Sequence, residues 1–233
     1  MKKTIATLVL LLVSASCYAA TLPPPFSAKY EIKKGFVSIG YATRSFFTDK
    51  DKFFYVSDSK TTGVIAALFK ERIIQTTQFQ FDNNIVRPIT YTYDRNKGKM
   101  LVEQSYDWQK GEVFSQRFKK SQNKIYEYEI PIGAQDQSSY QLALMIDLAS
   151  GKRNFSYHIA ENVRLMDYDV RHVGDRKLET IRGKLDTVVV QVKTKKVKIT
   201  IWCAPKLHYL PVKIEHEEDG TSFEAVLTSL KGI

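Results

Sequence analysis

The sequence predicts a mainly β fold, in which a large curved antiparallel sheet or half-open barrel has one main α-helix packed on it. Three observations lead to this fold class. From residue 26 onward, apolar and polar residues alternate, with many Tyr, Phe, Val, Ile and Thr. Turn residues interrupt the alternation at short intervals, and one apolar segment, 136–151, breaks it.

Short antiparallel strands account for most of the chain. Alternation is clear over 197–203, where every second residue is Val, Ile or Cys. Gly, Asn and Asp favour the tight turns that connect neighbouring antiparallel strands. The pattern predicts about fourteen strands. The turn segments between them are KKG (33–35), TDKDK (48–52), DNN (82–84), RNKG (95–98), QKG (109–111), KKSQNK (119–124), GD (174–175), TKK (194–196) and EDG (218–220).

The main helix is predicted within DQSSYQLALMIDLASG (136–151). Ser138 or Ser139 can accept hydrogen bonds from the free amides of a first helical turn, and Gly151 suits the position just past the last one. Leu, Ala and Met favour helix, and apolar residues cover so much of its surface that it must lie against the sheet. A second apolar segment, 62–69, predicts a short helical turn.

The first residues have the three-part pattern of a secretory signal peptide. Lys2 and Lys3 precede an apolar run over 5–13, and small residues follow. The run is shorter than the roughly 20 residues that a membrane-spanning helix needs. The sequence therefore predicts export, to the periplasm of a Gram-negative type of envelope or out of the cell.

Small residues set the predicted cleavage point. Cleavage after Ala19 fits best, because Cys17 then lies at the third position before the cut. Cleavage after Ala20 would place the bulky Tyr18 there. The residues before Cys17 also loosely resemble a lipobox, so lipid attachment at Cys17, with a membrane-tethered protein, is the alternative.

The mature chain is predicted to be one domain. Residues 1–19 are the signal peptide, 20–25 a stiff proline-rich lead-in, and 26–233 a single all-β domain, long enough to bury a core. Loss of Lys2 and Lys3 lowers the formal net charge from +10 to +8, so the mature chain stays basic. No apolar run after the leader is long enough to cross a membrane.

Residues with reactive side chains are concentrated in TIWCAPKLHYLPVKIEHEEDG (200–220). Cys203 is the only cysteine left after removal of the leader, so no internal disulfide is expected. Alternation places it on the apolar face of its strand, where a thiol is packing material and is not activated. The alternative is an envelope hydrolase in which Cys203, His208 and His216 take part, since a histidine folded back onto the thiol could act as its base.

A metal site in this segment would need both histidines and an acid to converge. Alternation places Glu215 and Glu217 on the face opposite His216 and next to Lys213, as on a solvated strand. The chain also has no nucleophile elbow, glycine-rich phosphate loop or Cys–His zinc spacing. We therefore predict no catalytic residues, no metal ligands and no cofactor.

The lysine-rich segment 193–198 is predicted to span a hairpin turn. Lys193, Lys196 and Lys198 take outward positions, which keeps the hairpin solvated and resists edge-to-edge pairing. A weak site for polyanions is the alternative. Nucleic acid is not an expected partner of an exported protein.

Several segments together resemble a bacterial exported family, the domain of unknown function 3108. The Gly-x-Leu-Asp-Thr turn, the Ile-Trp-x-Ala-Pro step and the Tyr-Leu-Pro-Val that follows are distinctive. The resemblance implies an all-β protein with a helix and no assigned activity, and it gives no site residues to transfer. Family members typically have another residue where this chain has Cys203. The similarity runs through FSAKYEIKKGFVSIGYATRSF (26–46), SKTTGVIAALF (59–69), IVRPITYTYDR (85–95), DQSSYQLALMIDL (136–148) and 174–230.

The predicted function is binding in the cell envelope, without catalysis. The outline is similar to that of periplasmic lipoprotein carriers, in which helix covers the concave side of a bent sheet, an arrangement that tends to hold an apolar cavity. We expect a hydrophobic or amphiphilic ligand such as a lipid, or an envelope protein partner, in the groove between the sheet and helix 138–149. A hydrolase and a structural scaffold are the alternatives.

Overall fold

The computed structural model describes residues 21–194 and 197–233. Over these residues the chain forms one sheet of fifteen strands, two α-helices and a 3-10 turn at Pro205–Leu207. The helices are α1 (Gly63–Leu68) and α2 (Tyr140–Ala149). The strands are β1 (Phe26–Lys34), β2 (Val37–Asp49), β3 (Lys52–Thr61), β4 (Arg72–Asp82), β5 (Ile85–Arg95), β6 (Met100–Asp107), β7 (Glu112–Lys119), β8 (Gln122–Glu129), β9 (Gln135–Asp136), β10 (Asn154–Ala160), β11 (Leu165–Thr180), β12 (Gly183–Lys193), β13 (Val197–Ala204), β14 (Leu210–Glu218) and β15 (Thr221–Lys231).

The strands follow one another in the sheet almost as they do in the chain. β1 to β8 form one run of neighbours and β9 to β15 another, and β1 joins them by pairing with β15. Every neighbouring pair is antiparallel except β9 and β10. The predicted antiparallel sheet is confirmed. The fifteen strands agree with the expected number of about fourteen.

The sheet curls around α2. The Tyr55 hydroxyl on β3 donates a hydrogen bond to Gln141 on the helix, and the Tyr157 hydroxyl on β10 donates to Asp147 on the same helix. Eight strand spacings separate β3 from β10, which is about 38 Å in a flat sheet. A ten-residue helix is only about 15 Å long, so both strands reach it because the sheet bends. The predicted half-open barrel with a helix packed on it is confirmed.

Side chains hold the two edges of the curled sheet together. Gln104 on β6 and Tyr128 on β8 both donate to the carbonyl of Glu161, between β10 and β11. Ser115 on β7 donates to the neighbouring carbonyl of Asn162, at 2.8 Å. The barrel is therefore joined here by side-chain hydrogen bonds, where a closed barrel would have a backbone ladder.

The main core lies between α2 and the concave face. Leu142, Leu144 and Leu148 are fully buried in it, and burial of such a side chain stabilises the fold by about 1.5–3 kcal/mol. Because α2 is apolar on nearly all sides, it can be stable only inside the curl. Sheet residues in this core include Phe26, Tyr30, Phe46, Phe79, Val190, Val192, Ile201, Cys203, Val212 and Leu227.

The start of α2 differs from the prediction. The helix begins at Tyr140, and neither serine caps it as expected. Instead, the Asp136 carboxylate accepts hydrogen bonds from the backbone amides of Ser138 and Ser139, both at 2.7 Å. At the other end, Gly151 has φ +90° just past the helix, as predicted.

The predicted turn at 174–175 is wrong. These residues lie inside β11, where the register with β12 shifts between His172 and Gly174. Gly174 has φ +126° and forms a bulge, which a glycine in a strand often marks. A bulge and a turn share the same glycine signal, so the sequence alone did not separate them.

Two other predictions have different outcomes. The short helical turn in 62–69 is confirmed as α1, but none of its residues is buried. The leader, with the cleavage points Ala19 and Ala20 and the alternative lipid site Cys17, lies outside the described residues. Lys196, in the predicted hairpin turn of 193–198, also lies outside the described residues. On either side of it, β12 and β13 pair as neighbouring antiparallel strands as far as Lys193 and Lys198.

Candidate functional site

A cavity of about 290 Å³ lies between the first turn of α2 and the concave face of the sheet. The helix contributes Tyr140, Gln141 and Leu144. The sheet contributes inward side chains from strands of both runs, and these are mainly apolar. They include Ile32, Ala42, Ile199, Ile201, Ile214 and Phe223.

The cavity opens toward one end of the barrel. Its deeper lining residues, such as Ala42 and Ile201, are buried, whereas Ile32 and His216 are half-buried. Ile32 is near the end of β1 and His216 near the end of β14, so both lie close to the connections from β1 to β2 and from β14 to β15. We call this end of the barrel the open rim.

Exposed apolar side chains lie on the open rim. Phe36 and Val37 are at the hairpin between β1 and β2, and Val64, Leu68 and Phe69 are in or next to α1, between β3 and β4. All five are more than half exposed. Apolar side chains gathered at one place on a surface commonly mark an interaction site.

The charged side chain of Arg44, on β2, points into the cavity. It faces inward because it alternates along β2 with the buried residues Ala42 and Phe46. Its cross-strand neighbours, Ala28 on β1 and Ser57 on β3, are small. They leave room around the guanidinium that larger neighbours would fill.

The guanidinium of Arg44 has no acidic partner among the described residues. Its carbon lies 5.1 Å from the ring centre of Tyr30, in a cation–π contact. Its Nε and Nη1 atoms are buried, and no hydrogen-bond acceptor of the described chain reaches them. Buried guanidinium donors without acceptors are uncommon, because their hydrogen bonds to water are lost on burial and no hydrogen bonds to protein replace them.

Three neutral tyrosines surround this charge. Burial raises the pKa of Tyr30 well above its usual range and the pKa of Tyr55 to about 12, although the positive charge of Arg44 opposes both shifts. Burial raises the pKa of Tyr140 as well, and the positive charge of Arg44 again opposes the rise. The hydroxyls therefore stay protonated at physiological pH, and the positive charge of Arg44 is not neutralised by them.

Asp136 is the nearby buried acid, and its oxygens are already occupied. Besides the two backbone amides at the start of α2, it accepts a hydrogen bond from the Thr77 hydroxyl at 2.9 Å. Burial raises the pKa of this carboxyl, and the hydrogen bonds from Ser139, Ser138 and Thr77 oppose the rise. Asp136 thus holds the turn before the helix and does not line the cavity.

The residues of the hydrolase alternative are not brought together. Cys203 is fully buried, and burial raises the pKa of its thiol well above the usual range. Among the described residues no hydrogen bond joins it to a histidine. His208 is exposed in the turn after β13. His216 pairs with Ile199, four residues along β13 from Cys203, or about 13 Å away.

The acids of this segment lie on the outer face, as the alternation predicts. Lys213 forms ion pairs with Glu215 at 2.8 Å and with Glu224 at 3.2 Å. Lys198 forms an ion pair with Glu217. Within residues 21–194 and 197–233, no group of three or more His, Cys, Asp or Glu side chains is arranged to hold a metal ion.

The family described as "Protein of unknown function (DUF3108)" matches residues 29–228. The chain belongs to this family. The match contains every residue of the cavity lining. A search of curated proteins finds no match to this DUF3108 protein.

A solved structure is similar to this DUF3108 protein in fold. It is the crystal structure of a β-barrel-like protein of the domain of unknown function DUF1849 from Brucella abortus. The TM-score is 0.62 at 11% sequence identity, and the alignment covers 91% of this chain and 98% of the other. At this identity the likeness concerns the fold alone, and it agrees with a barrel-like sheet. Neither described helix of the DUF3108 protein combines the length and apolarity needed to cross a membrane.

Sequence reasoning missed Arg44 as a site residue of this DUF3108 protein. The signal was present in VSIGYATRSFFTD (37–49), where Gly40, Ala42 and Phe46 occupy the inward positions and the arginine takes a fourth. A charged residue at a position that alternation assigns to the apolar face of a strand indicates either the end of the strand or a functional position. Only the curl of the sheet shows that this position faces a cavity.

Proposed function

We propose that this DUF3108 protein is a non-enzymatic protein of the cell envelope that binds one hydrophobic or amphiphilic ligand. The ligand would lie in the cavity between α2 and the sheet. The observation that carries the proposal is the cavity itself: about 290 Å³, mainly apolar in its lining and open at one rim of the barrel. Small-molecule sites are commonly apolar concavities of about this size or larger with a few polar groups.

The packing around α2 supports a bound ligand. Side chains of this helix such as Leu142 and Leu148 are fully enclosed by protein, whereas Gln141 faces the cavity, and the hydrogen bond that it accepts from the Tyr55 hydroxyl is long, at 3.5 Å. A polar pair held this loosely can be separated by a ligand with a polar group at small cost. The cavity therefore offers apolar walls and available polar atoms.

Export follows from the leader. The proposal places the mature protein in the periplasm or outside the cell, after cleavage behind Ala19, with cleavage behind Ala20 or lipid attachment at Cys17 as alternatives. Cell fractionation and the intact mass of the purified protein test this directly. A mass that retains residues 1–19 in the soluble cytoplasmic fraction would contradict export.

The surroundings of Cys203 support a function without catalysis. A buried thiol with a raised pKa and no histidine bonded to it is a poor nucleophile. We expect Cys203→Ala and His208→Ala variants, whose residues do not line the cavity, to complement an envelope-stress phenotype of a deletion strain fully. Loss of complementation in the His208→Ala variant, at unchanged stability, would restore the hydrolase alternative.

Native mass spectrometry tests ligand binding. Protein purified from the periplasm should carry one small adduct per chain, and Ala225→Trp should abolish it, because Ala225 lines the cavity and the indole would fill it. Ser229→Trp is the matched control, since Ser229 is exposed on the same strand. Absence of any adduct from the wild type, or equal adducts in both variants, would contradict the proposal. Crosslinks to an envelope protein without an adduct would instead favour a scaffold.

A further inference from the structure

We infer that the ligand of this cavity carries an anionic oxygen group, a carboxylate or a phosphate, which binds the guanidinium of Arg44. The apolar part of the ligand then lies against the aliphatic and aromatic walls toward the open rim. This inference rests on the proposed function, because it names the chemistry of the ligand in the same cavity. It adds the class of the ligand, an anionic amphiphile, and the residue that selects it.

Arg44 differs from the exposed arginines near the open rim in lacking an anion. Arg72 donates to both carboxylate oxygens of Asp58, and Arg95 forms an ion pair with Glu71. The Nε and Nη1 atoms of Arg44 are buried without an acceptor among the described residues. A buried cation is stable when an anion accompanies it, so this site lacks the group that would complete it.

The neighbouring acids are held by other partners. Asp136 accepts hydrogen bonds from Thr77 and from the two amides at the start of α2. Glu224 also borders the cavity, but its carboxylate forms an ion pair with Lys213 on the outer face of the sheet, at 3.2 Å. Neither is free to compensate the arginine, and the anion must therefore come from outside the chain.

The surroundings of Arg44 hold the guanidinium in place without neutralising it. The ring of Tyr30 lies against it, and Tyr30 is itself fixed, because its hydroxyl donates to the carbonyl of Pro211 at 2.8 Å. Tyr55 and Tyr140 are close enough to Arg44 for its positive charge to affect their pKa values. Both hydroxyls remain protonated and can also donate hydrogen bonds to an anion. The site is thus a fixed set of donors in a mainly apolar cavity.

The chemistry of arginine selects the ligand. A guanidinium has five N–H donors in a plane and no acceptor, which matches the paired oxygens of a carboxylate or the oxygens of a phosphate. A neutral hydroxyl can accept from it but brings no charge. Because interactions between charges are stronger in a cavity than in water, an anionic head should bind markedly better than an alcohol of the same shape.

Titration of the mature protein with matched ligands tests this inference. The probes are a long-chain fatty acid, the alcohol of the same chain length, the corresponding monoalkyl phosphate, and inorganic phosphate alone, each measured by displacement of a fluorescent fatty acid. We expect the fatty acid or the alkyl phosphate to bind roughly tenfold or more tightly than the alcohol. The fatty acid and the alkyl phosphate together identify which oxyanion is preferred. Inorganic phosphate should bind weakly, because it leaves the apolar walls uncovered.

The variants Arg44→Met and Arg44→Lys separate charge from packing. In Arg44→Met the affinity for the anionic probes should fall to about that for the alcohol, whereas the affinity for the alcohol should fall far less, and Arg44→Lys should keep part of the preference for the anionic probes. Equal binding of acid and alcohol to the wild type would overturn the inference and leave the proposed function standing. An equal loss for every probe in Arg44→Met would do the same.

The remaining outcomes are also decisive. If no amphiphile binds the wild type, both the inference and the proposed function are wrong. Inorganic phosphate that binds as tightly as the alkyl phosphate would show an anion site without an amphiphile, which overturns the inference. If Arg44→Met fails to fold, the difference between the affinities of the wild type for the fatty acid and for the alcohol still decides whether the ligand is anionic.

Discussion

Arg44 and Cys203 both occupy inward positions of strands, yet their surroundings give them different roles. Cys203 is enclosed by apolar neighbours in the core, so its sulfur serves packing. Arg44 borders open space and keeps its charge without an acidic partner among the described residues. Position along the strand sets which way a side chain points, and the neighbours then decide what it does.

Cys203 should be unreactive in the folded protein. Its thiol is buried and burial raises its pKa, so little thiolate is present and reagents have no access. We expect alkylation to follow unfolding, with slow labelling of the native chain and fast labelling in denaturant. Cys203→Ala should lower the free energy of unfolding by about 1–2 kcal/mol through the cavity it leaves. Fast labelling of the native protein would contradict this role.

Asp136 should make stability depend on pH in a defined direction. Burial raises the pKa of its carboxyl in the folded state, so as pH rises the unfolded chain ionises first and the folded state loses relative stability. The loss begins near the ordinary carboxyl pKa and ends once the folded carboxyl has ionised. In Asp136→Asn, which keeps one acceptor for the amides of Ser138 and Ser139, this dependence should disappear.

Unfolding in urea at a series of pH values measures the effect. The stability of the wild type, relative to Asp136→Asn, should fall as pH rises above the ordinary carboxyl pKa. Asp136→Ala is the severe variant, because it leaves buried donors without acceptors, at about 1–3 kcal/mol each. A wild type that gains relative stability with rising pH would mean that the hydrogen bonds outweigh burial.

Prediction at the residue scale worked where alternation was regular. It placed Cys203 inside and Glu215 outside, and both positions are confirmed. It did not identify Arg44 or Asp136 as important, because their roles depend on partners far away in the chain. Asp136, for example, is held by Thr77, fifty-nine residues earlier.

The two helices show that apolar composition alone does not decide burial. α1 and α2 are both rich in aliphatic residues, but α2 lies inside the curled sheet and α1 has no buried residue. α1 connects neighbouring strands at the open rim, where the sheet offers it no second face. The sequence predicted both helices, but it could not show that α1 would be left exposed, since that depends on the path of the sheet.

Matched substitutions in the helices test this difference. Leu148→Ala in α2 should lower the free energy of unfolding by about 2–5 kcal/mol, because the residue is fully buried and leaves a cavity. Leu68→Ala in α1 removes the same atoms from an exposed side chain and should change stability by less than about 0.5 kcal/mol. Equal losses in thermal or urea unfolding would contradict the observed burial.

Closure of the whole barrel depends on contacts between distant parts of the chain. Gln104, Ser115 and Tyr128 come from β6, β7 and β8, and their acceptors lie between β10 and β11. Strand patterns predicted the sheet and its curvature in outline, but not these contacts, because nothing local marks two carbonyls as the meeting point of two sheet edges. The cavity depends on the same curvature and was expected only by analogy with other bent sheets.

Gln104→Leu should loosen this closure. It removes two donors from a buried network and should cost about 1–3 kcal/mol. Hydrogen exchange of the β7 and β8 amides should become faster, because β8 is at the edge of the sheet and β7 is the next strand. Gln80→Leu, at an exposed position, is the control. Unchanged exchange in Gln104→Leu would show that the edges are held by other contacts.

The most direct test of ligand binding in the cavity is photoaffinity labelling of the mature protein with a fatty acid that carries a diazirine in its chain. Peptide mass spectrometry should locate the label on α2, β13 and β15, at cavity residues such as Leu144, Ile201 and Phe223, and Ala225→Trp should remove it. Labels confined to the exposed side chains of Phe36 and Phe69, or labels that persist unchanged in Ala225→Trp, would contradict binding in the cavity.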